Sequence, residues 1–185
     1  MKKLFFAMLL PFVIAACSGQ QNDKTQQAEE QITEVTVGNF NTMAGELVGK
    51  TVMIKGTADH ICKHDGKKLF LIDVNSEGRV KVVTGEDMAA FDAANEGLDF
   101  IVTGTVAETI VDEAYLQEWE ESLKSEEAEN PHLEDGQKAE EGEDHHSNED
   151  AYEQIARYRQ KMAEQGVDKL SFYHIVAISY EIEKE

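Results

Sequence analysis

Apolar and polar positions along the chain change their period several times, and each change marks an element. Leu4 to Val13 is a continuous apolar run, too short to cross the roughly 30 Å hydrocarbon core of a bilayer as a helix. Ser18 to Glu34 is polar and lacks aromatic residues, the composition of a flexible tether with a reach of about 23 Å. From Asn39 to Val48, Phe40, Met43, Ala44 and Leu47 recur at helical spacing and predict a short amphipathic helix. The period then drops to two. Over Thr51–Cys62 the even positions read Val52, Ile54, Gly56, Ala58, His60 and Cys62, which predicts a strand with one apolar face. Asp65-Gly66 is a hairpin signal, followed by strands at Lys68–Val74 and Arg79–Thr84 around an Asn75–Gly78 turn. Glu86–Asn95 reads as a helix closed by Gly97, and Leu98–Val111 as a long fourth strand. Alternation returns at Leu170–Ile182, with Leu170, Phe172, His174, Val176, Ile178, Tyr180 and Ile182 on one side.

Three strands, a helix and two further strands is the order of an OB-fold barrel. Gly56 and Gly104, each inside a long strand, suit the sharp coiling that such strands need. The expected fold is mainly β with helices: a five-stranded OB-fold-like barrel with a helical hairpin inserted between strands 4 and 5. The insertion spans 112–167. Glu113–Glu127 and Asp150–Gln165 are both amphipathic, with Tyr115, Leu116, Trp119 and Leu123 set to face Tyr152, Ile155, Tyr158 and Met162. Between them, 128–149 is acidic, has no apolar period, and is expected to be disordered.

The start of the chain carries an address. Lys2 and Lys3 precede the apolar run, and Ile14-Ala15-Ala16-Cys17 ends it. This resembles the lipobox of bacterial lipoproteins, with Ile14 where the family prefers Leu. The resemblance implies a signal peptide over 1–16, cleavage before Cys17, and palmitate-like acyl groups on that cysteine. Residues 17–35 then form the lipidated cysteine and tether, and 36–185 the folded domain. The implied location is the cell envelope outside the cytoplasm. Ser18 after the cysteine favours, by resemblance to enterobacterial sorting, an outer membrane facing the periplasm or the cell surface.

Removing 1–16 takes Lys2 and Lys3 and leaves 15 basic residues against 37 acidic ones, a net charge of −22. Such a charge repels phosphate backbones and anionic lipid surfaces, which makes nucleic acid an unfavoured partner. With Cys17 acylated, Cys62 is the one remaining thiol and has no internal partner for a disulfide.

The segment His60 to Lys68 holds most of the candidate chemistry. His60, Cys62 and His64 share one parity, and alternate strand residues lie about 6.6 Å apart, which suits two ligands of one metal ion. Imidazole and thiolate fit zinc, and thiolate also suits Cu(I). His174 on the last strand is a candidate fourth ligand. The same residues equally fit a small buried Cys62 and two hairpin histidines with ordinary hydrogen bonds. Lys63, Lys67 and Lys68 form a basic cluster beside Phe70, the pattern of an anion or base-stacking surface. His132, His145 and His146 lie among carboxylates in the acidic loop and read as part of a solvated charge run.

The run Gly56, His60, Cys62, His64, Gly66, Lys67, Lys68 is similar to one in OB-like lipoproteins of the Bacteroidetes type. A weaker, fold-level resemblance is to the periplasmic haem chaperone of cytochrome c maturation. His174 and Tyr180 do not reproduce that family's His-x-x-x-Tyr spacing, so its haem attachment does not carry over. No Gly-x-Ser-x-Gly, phosphate loop or His-Glu-x-x-His occurs, so a non-enzymatic role is expected. Three roles follow: a binding module for a metal ion or small ligand at the first hairpin, an envelope protein adaptor using the insertion around Trp119, or a thiol redox partner centred on Cys62.

Overall fold

The computed structural model describes residues 32–124 and 148–183. The expected signal peptide over 1–16, Cys17, most of the expected tether, and all but the last two residues of the expected loop 128–149, its three histidines included, lie outside the described residues.

The fold begins earlier than expected. β1 (Thr33–Thr36) pairs parallel with β2 (Thr51–Ile61), Thr33 opposite Val52 and Val35 opposite Ile54. The alternation of Val35 and Val37 with polar neighbours explains this, because both side chains reach the core. Residues 33–35 are therefore part of the domain and not of the tether. Thr36 then caps α1 (Val37–Leu47): its hydroxyl accepts from Asn39 N–H at 3.2 Å while Asn39 Oδ1 accepts from Thr36 N–H at 2.8 Å. α1 buries Val37, Phe40, Ala44 and Leu47 against the barrel.

Five strands close on themselves: β2, β3 (Lys68–Ile72), β4 (Arg79–Thr84), β6 (Lys169–Ile182) and β5 (Asp99–Asp112), which returns to β2. β4 and β6 run parallel and the other barrel pairs antiparallel. This order and sense are those of an OB fold. Closure leaves the interior to Val52, Ile54, Leu71, Val82, Phe100 and their neighbours, all nearly without solvent contact.

Two bulges revise the expected faces. Between Ala58 and His60 the β2–β3 register shifts. One extra residue flips the parity, so Ile61 enters the core while His60 and Cys62 turn outward. In β6, Thr103 faces Ser179 but Gly104 faces Ala177, leaving Ile178 as the extra residue. Before it, Ile175 and Ala177 point inward; beyond it, Tyr180 and Ile182 pack against the barrel core. Leu170, Phe172, His174 and Val176 therefore stand on the outer wall and not inside the barrel as one apolar stripe.

The expected helix at Glu86–Asn95 is absent, and only Ala93–Asn95 forms a single 3-10 turn, capped by Asp92. A ten-residue helix is marginal without a broad apolar face, and here Ala89 and Ala90 are exposed. Phe91 instead drops into the core and donates its N–H to Gly66 O at 2.7 Å.

The insertion builds a second core. α2 (Glu113–Ser122) and α3 (Asn148–Gln165) bury Leu116, Trp119, Leu123, Ile155, Tyr158 and Met162 together, over Val111, Leu170 and Phe172 of the outer wall. Arg159 clamps the two helices by donating to Glu113 at 2.7 Å and 3.0 Å and to Glu120 at 2.6 Å. Tyr152 departs from the expected facing set, being 41% exposed.

Candidate functional site

The β2–β3 hairpin is closed by a rigid turn. Cys62 N–H donates to Lys68 O at 2.9 Å and Gly66 N–H to Cys62 O at 2.8 Å. Gly66 has φ +64, and a Cβ there would meet Phe91 O at 2.6 Å. The bond from Phe91 to Gly66, and another from Thr84 N–H to Lys67 O at 3.0 Å, fasten the turn to the segments beneath it. From this support Lys63, His64 and Lys67 project into solvent, while Lys68 is half-buried.

Asp65 sits in the middle of the lysines and is itself exposed. Burial opposes its ionisation; the N–H of Lys67, the thiol of Cys62 and the charges of Lys68 and Lys67 outweigh that and hold its carboxyl below the usual carboxylate range. The Cys62 thiol is thus a hydrogen-bond donor to Asp65, on a half-buried side chain.

On the outer wall beside the turn, strand pairing sets out a row. His60 lies opposite Phe70, Phe70 opposite Lys81, and the Val82–Ile175 pair brings Lys81 beside His174. His60 Nδ1 is 3.2 Å from Glu96 Oε1, which also accepts Ile61 N–H at 2.7 Å. Its ring stacks on Phe70, centroids 6.1 Å apart. Arg79 lies 5.3 Å from the Phe70 centroid and pairs with Asp59. Phe70 is consequently only 5% exposed. It does not offer the open stacking platform that the sequence led one to expect; His60 is the ring at the surface. Lys81, 8% exposed, and His174 continue the row. Burial, and then the Lys81 charge, push His174 down to about 4.

The four residues expected as metal ligands are not brought together. His60 turns to Glu96, Cys62 to Asp65, His64 stands free on the turn, and His174 is across β3 and β4 next to a lysine whose charge disfavours a cation. Among the described residues no three of His, Cys, Asp or Glu gather closely enough to hold an ion. Trp119, expected as an adaptor contact, is 5% exposed and packs on Tyr158 at 6.4 Å, so it supplies no contact surface. Glu96, Asp59, Arg79 and Lys81 were missed as site residues. The alternation of Arg79 and Lys81 with Val80 and Val82 was the readable sign of the last two.

No helix among the described residues is long and apolar enough to cross a membrane. No protein-family model matches the chain, and no curated protein matches it. Among solved structures it is similar to the telomere capping protein Ten1 from Saccharomyces pombe, with 13% identity over 40% of this chain and 67% of that one and a TM-score of 0.30. That likeness is too slight to bear on function, and the fold rests on strand order.

Proposed function

We propose that the protein is a lipid-tethered, extracytoplasmic OB-barrel binding module that takes a small anionic ligand at the β2–β3 hairpin. One observation supports this above the others: Lys63, Lys67 and Lys68 stand on a single fastened turn in a chain of net charge −20. A turn with a fixed backbone needs little ordering on binding, and Asp65 between the lysines is engaged with Lys67 N–H and Cys62. His60 adds a half-exposed ring, stacked on Phe70, at the same end of the wall.

Size decides between anions. Screening at physiological salt confines the field of the turn to about 8 Å. A small phosphate or carboxylate compound fits inside that range. An oligonucleotide reaches past it into the acidic remainder of the surface and is repelled. The lipid anchor is supported by the Leu4–Val13 run and by Ile14-Ala15-Ala16-Cys17.

Calorimetric titration of residues 18–185 with citrate, pyrophosphate and a mononucleotide tests this. Binding of at least one is expected, weakened roughly tenfold, about 1.4 kcal/mol, by Lys63→Gln with Lys67→Gln at unchanged melting temperature. Failure of all three, or binding indifferent to the double variant, overturns the reading. Tighter binding of a thymidine oligonucleotide overturns the size argument. A metal ion at His60, Cys62 and His64 would need these side chains to leave Glu96 and Asp65 and come together. Elemental analysis decides it: about one equivalent of zinc or copper, lost in Cys62→Ser, would replace the anion.

A further inference from the structure

We infer that His174 is an acid-sensitive latch on the outer barrel wall, whose protonation loosens the helical insertion from β6. The seat of the insertion and the histidine are neighbours on one side of one strand. Leu170, Phe172 and His174 follow each other outward along β6, about 6.6 Å apart. The Phe172 ring meets Tyr158 of α3 edge-on at 5.4 Å, and Tyr158 meets Trp119 of α2 at 6.4 Å. α2 touches the barrel chiefly through β5, and α3 through β6. Anything that disturbs the wall at 172–174 disturbs what holds the helices down.

His174 is poorly prepared to carry a proton. Its Nδ1 is shut off from solvent and has no hydrogen-bond partner, so a second N–H and a charge would both be buried without compensation. The charged group beside it is a cation, Lys81 on β4; Lys161 on α3 lies over the neighbouring Phe172 ring at 5.8 Å. β5 places the uncharged Ala107 opposite, with Glu108 turned to the other side of that strand. A protonated imidazole gains hydration only if the wall beside it opens, and the insertion, seated on the neighbouring Phe172, is the part of that wall not woven into the closed barrel.

The sign follows from linkage. The folded protein keeps His174 neutral down to about 4, whereas the released state takes a proton near 6.5. Docking is at full strength above the higher value and weakens as pH falls toward the lower one. Glu113 and Glu120 are held below the usual carboxylate range by Arg159, so the clamp between the helices stays ionised through most of this window.

Trp119 is the chain's sole tryptophan and reports on the insertion alone. Its fluorescence in urea should be followed for residues 18–185 between pH ~7.5 and ~4.5, beside hydrogen exchange of the β2 amides Val52 and Ile54. The equilibrium constant for loss of the Trp119 environment should rise by up to about tenfold per pH unit below 6.5, with a smaller rise for the barrel amides. His174→Phe should flatten that dependence, and Lys81→Met, by easing protonation in the docked state, should make it level off at higher pH. Equal slopes in the wild type and His174→Phe, a lower limit of the dependence unmoved by Lys81→Met, or barrel amides that share the full slope would each overturn the latch.

Discussion

Gly104→Ala should destabilise the protein by about 3 kcal/mol or more, a factor of roughly 150 in the folding equilibrium. An added Cβ would stand 2.5 Å from Val176 O, 2.6 Å from Ile175 Cγ2 and 3.0 Å from Ala177 Cα. A flexible side-chain tip could give way; strand backbone cannot. β6 is tied to β4 through Ile175, Val176 and Ala177 and to β5 by the ladder on either side of Ile178. Displacing it loosens the parallel pair on which barrel closure depends. A urea midpoint comparison with Gly97→Ala isolates the steric term. Gly97 has φ +85 but nothing within 4 Å of the added atom, so backbone strain alone costs about 1 kcal/mol there. If the two variants lose the same stability, the close approach of β5 and β6 at Gly104 does not hold in solution.

Cys17→Ser should abolish acylation and processing together. In a bacterial host the wild type is expected to incorporate an alkyne fatty acid and to begin at Cys17, with residues 1–16 removed. The variant is expected to take up no label and to keep its leader, because the thiol that receives lipid also defines the cut. Intact mass of the detergent-extracted protein reads both events at once. Loss of acylation should release the protein from the membrane, since even one acyl chain gives only marginal affinity (roughly 10⁴ M⁻¹) and durable anchoring needs more than one. An unlabelled wild-type protein trimmed at another residue would remove the lipid tether from the proposed function and leave the barrel and its hairpin untouched.

Much of the architecture was readable because it depends on period and on single glycines. The alternation of Arg79, Lys81 and Val83 with Val80 and Val82 located β4, and mid-strand Gly56 and Gly104 marked the places where neighbouring strands crowd in. The insertion helices declared themselves by Leu116, Trp119, Ile155 and Tyr158 at helical spacing. What stayed hidden was the parity change at each bulge. An extra residue such as Ile178 has no compositional signature, yet it moves His174 from the inside of the barrel to its wall. At the hairpin the same effect put Ile61 in the core in place of His60 and Cys62. Phe91 was concealed for a different reason. Its neighbours have the helix propensity of an alanine-rich run, and only the anchoring of Phe91 in the core and to Gly66 overrides it. The covering of Phe70 by Arg79 and His60 depends on pairs across strands, which no linear pattern displays.

The β5–β6 ladder ends with Asp112 opposite Lys169, the two residues between which the insertion leaves and returns. The barrel therefore holds both ends of the insertion at one strand spacing, whatever lies between them. Doubling the length of such a loop costs only about 0.6 kcal/mol in closure, and the inserted helices supply their own core. Descendants of this chain could lengthen, recharge or exchange the insertion while the hairpin of β2 and β3 stayed as it is. The point at Asp112 and Lys169 is in this sense a grafting site, where the molecule can acquire a new surface without rebuilding the barrel.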